Sequence, residues 1–77
     1  MDNFKIKLGI AVKSRRLEQK KTRDALADAA KISSRFLYEI ETGRKGMSAE
    51  TLYGLAKALD VSADCLLGGE IVTNMHV

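Results

Sequence analysis

Four polar side chains near the middle of the chain have types and spacing that suit hydrogen bonding to another molecule. They fall on one side of a helical pattern over residues 33–41, because Leu37 and Ile40 take the opposite, inward side. A hydroxyl, a guanidinium, a phenol and a carboxylate at such positions are groups that can read the edges of nucleic-acid bases. These outward residues are Ser34, Arg35, Tyr38 and Glu39.

A second short helical pattern comes directly before this polar face. It places Leu26, Ala27 and Ala30 on one side. Thr22 and Ser33 stand where the two helices would begin, and each hydroxyl can accept an otherwise unpaired backbone N–H. Two helices of about eight to ten residues joined by a tight turn, the second polar on its free face, form a helix-turn-helix.

The remaining apolar spacing is also helical, so we expect an all-α fold of five helices. The expected helices cover residues 6–19, 23–30, 33–41, 49–59 and 63–67. Ser48 and Ser62 are the expected N-caps of the last two. A chain of 77 residues is short enough for one domain, which we place at residues 1–69, with a C-terminal tail at 70–77.

Three residues around the first two helices lead to specific expectations. Leu17 is expected to join Leu8 and Val12 on the inner stripe of the first helix. Gly9 weakens that helix, and close packing against another helix would explain it. Lys31 must turn the chain between the second and third helices, so we expect it to have a positive φ at a cost of about 1 kcal/mol.

The charge of the chain is unevenly distributed. Residues 1–45 hold twelve Lys and Arg against six Asp and Glu, a net charge of +6, whereas residues 46–77 carry −3. A basic pole around a helix-turn-helix suits a polyanion such as DNA. The alternative interpretation of the charge alone is a solvated basic surface.

Other classes of function find no support in the sequence. Cys65 and His76 are too few and too far apart for a metal site or for a nucleophile with its base, and no cofactor motif occurs. Paired inward carboxylates and a glycine-rich phosphate loop are also absent, so we do not expect an enzyme. The single cysteine, with no apolar membrane-spanning run and no signal peptide, predicts a cytoplasmic protein.

Several short motifs occur together in one order along the chain. They are LG at 8–9, Arg16, T-x-x-x-LA at 22–27, IS at 32–33, IETG at 40–43, LAKALDVS at 55–62 and LLG at 66–68. In this order and spacing they resemble the Cro- and lambda-repressor-type helix-turn-helix domains, over residues 8–68. The resemblance implies a five-helix DNA-binding fold whose third helix enters the major groove while the second crosses the backbone.

The resemblance also assigns roles to individual residues. It places Ser33, Ser34, Arg35 and Glu39 at base contacts. It places Arg23 at a phosphate contact where the family more often has glutamine, and Arg44 and Lys45 in a loop on the DNA backbone. Arg16 and Glu41 fall on the family's structural ion pair between helices 1 and 3. With Thr22 and Tyr38 added, the expected DNA-binding residues are Thr22, Arg23, Ser33, Ser34, Arg35, Tyr38, Glu39, Arg44 and Lys45.

Two side chains on the polar face have alternative roles. Glu39 can accept a hydrogen bond from a cytosine amine, or it can orient Arg35 four residues earlier. Tyr38 can reach a phosphate or a thymine methyl group. Arg35 is expected to read a guanine through its forked guanidinium.

We therefore expect a sequence-specific transcription regulator, a repressor of phage or small bacterial type, that binds a palindromic operator as a homodimer. The alternative is a protein-interaction module, such as an antitoxin or an anti-regulator. The dimer interface is expected at the acidic pole, with the tail pairing or fraying, and includes Leu66, Leu67, Ile71 and Val72. In the other interpretation, Leu66 and Leu67 only close the core of the monomer.

Overall fold

A computed structural model describes residues 3–68 and confirms the predicted all-α fold. The described residues form five helices and no strand: α1 (Asn3–Glu18), α2 (Arg23–Ala30), α3 (Ser34–Glu41), α4 (Ala49–Leu59) and α5 (Ala63–Leu66). The first helix begins three residues earlier than expected, and the last is one residue shorter. The expected tail at 70–77, with Ile71 and Val72, lies outside the described residues.

Serine and threonine hydroxyls start four of the five helices, as the sequence predicts. The backbone N–H of Ala25 donates to Thr22 Oγ1, and that of Phe36 donates to Ser33 Oγ, each over 3.0 Å. Ser48 and Ser62 cap α4 and α5 in the same way over 3.1 Å. Each cap stabilises its helix by about 1 kcal/mol, so the starts of α2 and α3 are fixed locally.

The core lies where α1 packs on α3 and where α2 packs on α4 and on α3. Every helix contributes to it: the buried side chains are Leu8, Val12, Leu26, Ala27, Leu37, Ile40, Leu55, Ala56, Leu59 and Leu66. The expectation for Leu17 is wrong, because that side chain is 55% exposed. Along α1 the inward positions run through Leu8 and Val12 to Arg16, which leaves the next residue pointing outward.

The turn between α2 and α3 depends on a left-handed residue that is not glycine. Lys31 has φ 62° and ψ 43°, which confirms its predicted positive φ. Two backbone hydrogen bonds, from Lys31 N–H to Asp28 O and from Ile32 N–H to Ala27 O, hold this turn. Lys20 and Asp60 adopt the same conformation at other helix ends, which the sequence did not indicate.

Gly9 allows α1 to approach α3 more closely than any other residue would. A Cβ atom at this position would collide with the carbonyl oxygen of Ile40 and would lie 3.2 Å from the carbonyl carbon of Glu41. The expectation of close helix packing at Gly9 is therefore confirmed. This contact brings the end of α3, with its Glu41 carboxylate, against α1.

We predict opposite effects for alanine at two helical glycines. Gly9→Ala should lower the free energy of unfolding by about 1–3 kcal/mol, because a backbone oxygen cannot move aside cheaply. Gly54→Ala is the matched control, since its Cβ would lie 3.4 Å from the nearest atom, the Ala30 carbonyl oxygen. That change should stabilise α4 by up to about 1 kcal/mol. Urea unfolding measures both, and equal effects would contradict the close approach of α1 to α3.

Candidate nucleic-acid interface

The polar face of α3 points away from the core. Leu37 and Ile40 are buried on the inner side, while the side chain of Arg35 is 85% exposed and Tyr38 also reaches solvent. Ser34 and Glu39 are half-buried on the same face. The two-sided character of α3 predicted from its spacing is thus present in the structure.

The hydroxyls at the start of α3 already have partners within the protein. Ser33 Oγ accepts a hydrogen bond from the Phe36 N–H. At the start of α2, Thr22 Oγ1 accepts one from the Ala25 N–H. Ser34 Oγ donates to the carboxylate of Asp24 on α2, a contact between the two helices. Asp24 was not among the expected site residues, and nothing in its local sequence pairs it with Ser34 ten residues later. These bonds fix the start of α3 relative to α2.

Glu39 pairs with two cations of the same surface. Its carboxylate lies 3.6 Å from Arg35 Nε, one helical turn earlier, and 3.6 Å from Lys45 Nζ in the loop after α3. Of the two roles left open for Glu39, this geometry favours orienting Arg35 over accepting from a base. The loop itself is tied to α3, because the backbone N–H groups of Arg44 and Lys45 both donate to the Glu39 carbonyl oxygen.

The Glu41 carboxylate at the end of α3 is fully buried and is the electrostatic centre of this region. Arg16 on α1 donates to it through Nε over 2.7 Å and through Nη2 over 3.0 Å. The remaining Arg16 nitrogen donates to the Lys21 carbonyl oxygen over 3.0 Å. The two residues that the resemblance places on a structural ion pair therefore meet in a bidentate contact, and no buried polar side-chain atom of the described chain lacks a hydrogen-bond partner.

Glu41 has a second partner that sequence reasoning missed. Arg23, the first residue of α2, donates through Nε to Glu41 Oε1 over 3.2 Å. Because the two residues are 18 positions apart, no helical spacing could indicate the contact. Arg23 is thereby held against α3, while its side chain stays 35% exposed.

The ring of Tyr38 contacts cations from two different elements. The Arg23 guanidinium carbon is 5.3 Å from the ring centroid, and that of Arg44 is 5.9 Å away. Such distances allow a cation–π attraction. The structure therefore brings Arg23, Tyr38 and Arg44 together, although the sequence suggested only three separate contacts.

Taken together, the surface formed by α3, the start of α2 and the loop after α3 has an excess of positive charge. Arg23, Arg35, Arg44 and Lys45 supply four cations, whereas only the carboxylates of Asp24 and Glu39 lie on the same surface. Glu41 is buried and already bound to Arg16. We call this region the basic surface; its chemistry suits a polyanion.

Of the expected dimer residues, the structure describes Leu66 and Leu67, at the C-terminal end of α5. Leu66 is only 3% exposed and belongs to the monomer's own core, so it has no surface left for a partner. Leu67 is 38% exposed and lines a groove of about 480 Å³ between α1 and α5. Phe4, Leu8 and Ala11 line the same groove.

Cys65 also lines this groove and has no metal-binding neighbours. Arg15 Nη2 donates to its Sγ over 2.9 Å, and the electrostatic interaction and hydrogen bond with Cys65, followed by the interaction with Glu18, raise the pKa of Arg15 above its ordinary value. Within residues 3–68, no group of three or more His, Cys, Asp or Glu could hold a metal ion. No helix in that same range is long and apolar enough to cross a membrane.

Comparison with known proteins identifies the same motif. Residues 12–64, more than half of the chain, match the model of the HTH_3 family, described as helix-turn-helix. The clp gene regulator ClgR from Corynebacterium glutamicum is similar in structure, with 35% sequence identity and a TM-score of 0.81. That match covers 94% of this chain and 92% of ClgR.

Two further solved structures share the fold. The competence regulator ComR from Streptococcus vestibularis is 33% identical over 84% of this chain but only 22% of its own, with a TM-score of 0.79. The restriction-modification controller protein C.AhdI from Aeromonas hydrophila is 23% identical, with 79% and 92% coverage and a TM-score of 0.77, a likeness of fold alone. No curated protein matches the chain in sequence.

We predict that the Arg16–Glu41 pair behaves as a buried unit. Arg16→Met or Glu41→Leu alone should lower the free energy of unfolding by about 3–5 kcal/mol, because each removes the bidentate partner of a buried charge. In Arg16→Met, Glu41 keeps only the single contact with Arg23 Nε. The double variant should lose less than either. The exposed Arg15–Glu18 pair, with 3.2 Å between Nη1 and Oε1, is the control: Glu18→Gln should change stability by less than about 1 kcal/mol. Additive losses at Arg16 and Glu41 would show that water screens the pair.

Proposed function

This chain belongs to the HTH_3 helix-turn-helix family, and we propose that it is a DNA-binding regulator of transcription. More narrowly, we propose a sequence-specific repressor that binds a palindromic operator as a homodimer. One observation carries the proposal: the exposed polar face of α3 is surrounded by four cations from α2, α3 and the following loop. A polar helix face with a cationic border suits the major groove and the phosphates beside it.

In this proposal, α3 reads bases mainly through Arg35. Its guanidinium is the most exposed group of the polar face, and a forked donor of this shape matches O6 and N7 of guanine. Glu39 limits the directions in which Arg35 can point, because its carboxylate stays within 3.6 Å of Arg35 Nε. The hydroxyls of Ser33 and Ser34 are already engaged inside the protein, so they are secondary contacts.

Phosphate contacts come from the rest of the basic surface. Arg23 at the start of α2 and Arg44 and Lys45 after α3 lie on either side of the reading helix. Such contacts fix the orientation of the protein on the duplex and carry no sequence information themselves. Because each one displaces a counterion from DNA, they make the affinity depend strongly on salt.

The proposal includes a two-fold dimer, because one recognition helix covers only a few base pairs. None of the basic-surface residues lines the groove between α1 and α5, and Leu67 and Phe4 expose apolar area there. An interface on this groove leaves both α3 helices free to meet one DNA face about 34 Å apart. Binding across a promoter would then exclude other proteins, which is how we propose that the protein represses.

A protein-interaction role, as an antitoxin or anti-regulator, is the second candidate. An acidic α3 that mimics DNA would favour it. In this chain the exposed groups of α3 include Arg35, and Lys45 and Arg44 flank the helix. Two relatives of solved structure are themselves named as gene or competence regulators, which agrees with the DNA-binding proposal.

We predict that Arg35→Ala and Lys45→Ala separate base reading from phosphate binding. Arg35→Ala should reduce discrimination at one base pair per half-site by about 1–3 kcal/mol. Lys45→Ala should weaken binding to all sequences alike and reduce the slope of log affinity against log salt by about 0.9 per lost contact. Selection of bound sites from random duplexes, followed by salt titration of each variant, measures both effects.

The wild-type protein provides the test of DNA binding itself. Its affinity should fall by orders of magnitude from about 50 to 200 mM salt if it contacts several phosphates per subunit. An affinity that does not change over this range would overturn the DNA-binding proposal. Identical sequence profiles for the two variants would instead overturn only the division between Arg35 and Lys45.

We predict that Leu67→Asp abolishes the dimer while leaving the monomer folded. A carboxylate in a buried apolar interface is costly, whereas Leu67 in the monomer already reaches solvent. Leu17→Asp is the matched control, because Leu17 is also an exposed leucine, at 55% against 38% for Leu67, but lies at the far end of α1. Analytical ultracentrifugation gives the oligomeric state, and circular dichroism verifies the fold. A Leu67→Asp protein that dimerises normally would move the interface away from this groove.

A further inference from the structure

Two arginines of the basic surface contact one aromatic ring. Arg23 opens α2 and Arg44 follows α3, yet their guanidinium carbons lie 5.3 and 5.9 Å from the Tyr38 centroid. Each contact restrains a guanidinium only weakly, since a cation–π attraction is weak at an exposed site. The ring therefore orients the two arginines without neutralising their charge.

Arg23 is anchored but incompletely neutralised. Its Nε donates to Glu41 over 3.2 Å, and this is its one hydrogen bond to the residues that the structure describes. Glu41 is already engaged by two nitrogens of Arg16, so a single carboxylate serves two guanidiniums. Both Nη atoms of Arg23 therefore keep donors for an additional acceptor.

Arg44 has a fixed backbone and an unpaired side chain. Its N–H donates to the Glu39 carbonyl oxygen over 2.8 Å, after a turn at Gly43 with φ 77°. Between residues 3 and 68, no carboxylate forms an ion pair with its guanidinium, and Tyr38 is the group that it contacts. All its N–H donors are available for an anion.

We propose that Tyr38 positions Arg23 and Arg44 for the phosphates of the DNA backbone, and we call these three residues the arginine clamp. The two arginines bind backbone oxygens in this proposal, and so the inference rests on the proposed function. Phosphate oxygens supply the acceptors that the two guanidiniums lack within the protein. Tyr38 is a positioning residue: its ring holds both arginines in place before DNA arrives, which lowers the ordering cost of binding.

The arginine clamp leads to a distinctive expectation for Tyr38. The residue carries no charge, yet its loss should act as if an arginine contact had been weakened. Its hydroxyl should be dispensable, because the ring face alone contacts the arginines. A tyrosine that instead donated to phosphate would need its hydroxyl, and one that contacted a thymine methyl would matter only at A·T base pairs.

The test measures affinity for two 20-base-pair duplexes, one A·T-rich and one G·C-rich, at low salt. Tyr38→Leu should weaken binding to both by about 5–30-fold, the loss of two exposed cation–π contacts. Tyr38→Phe should remain within about twofold of wild type. Tyr53→Leu is the matched control, since it removes a similar contact, Lys57 Nζ at 5.5 Å from the ring, on α4 away from the basic surface. It should leave affinity unchanged.

A double-variant cycle separates positioning from direct contact. In an Arg23→Gln/Arg44→Gln protein, the further change Tyr38→Leu should cost almost nothing, because no cation remains for the ring to hold. An unreduced loss in that background would overturn the arginine clamp, as would equal losses for Tyr38→Phe and Tyr38→Leu, or a loss confined to the A·T-rich duplex. Circular dichroism verifies that each variant is folded.

Two outcomes keep the inference distinct from the proposed function. A wild type that binds neither duplex at low salt would overturn both. A wild type that binds normally, with Tyr38→Leu indistinguishable from it, would overturn the arginine clamp alone. Should Tyr38→Leu fail to fold, Tyr38→Met is measured in its place, since it also removes the ring, and the same outcomes decide the matter.

Discussion

The buried Glu41 carboxylate is the interaction on which the remainder of the structure depends. A charge removed from water is costly, and Glu41 is tolerated because Arg16 meets it with two hydrogen bonds in a bidentate geometry. Replacing such an ion pair by apolar side chains is often neutral for stability. The main effect of this pair is therefore to fix the positions of the helices that carry it. Glu41 ends α3, Arg16 is on α1, and Arg23 begins α2, so one carboxylate sets the relative positions of three helices.

The geometry matters because the proposed interface is distributed over separate elements. Arg35 is on α3, Arg23 is on α2, and Arg44 and Lys45 are on a loop. Each would be mobile by itself, and ordering long side chains costs free energy when a ligand binds. Here the caps, the Lys31 turn and the Glu41 contact hold the backbones, while Glu39 and Tyr38 restrain the side chains. The basic surface is therefore largely arranged before any DNA is present.

The acidic residues of the basic surface need a physical explanation, since a carboxylate repels an anion. Glu39 lies within 3.6 Å of both Arg35 and Lys45, and Asp24 accepts from Ser34. These carboxylates reduce repulsion among the cations of the free protein and give them preferred directions. Arg23 and Arg44 lack an exposed carboxylate of this kind, and an aromatic ring takes its place. This contrast distinguishes the side of the surface proposed to bind phosphates from the side proposed to read bases.

The sequence by itself determined the features that arise within one helix or turn. Apolar spacing located the five helices and the two faces of α3, hydroxyl residues located the caps, and the missing glycine at Lys31 revealed a strained turn. Only the tertiary structure decided the contacts between elements. Arg23 meets Glu41, Ser34 meets Asp24, and Tyr38 meets two arginines because the close approach at Gly9 and the angle of the turn bring distant residues together. Periodicity describes which way a residue faces along its own helix, but it carries no information on the distance and angle between helices, and these fix the site.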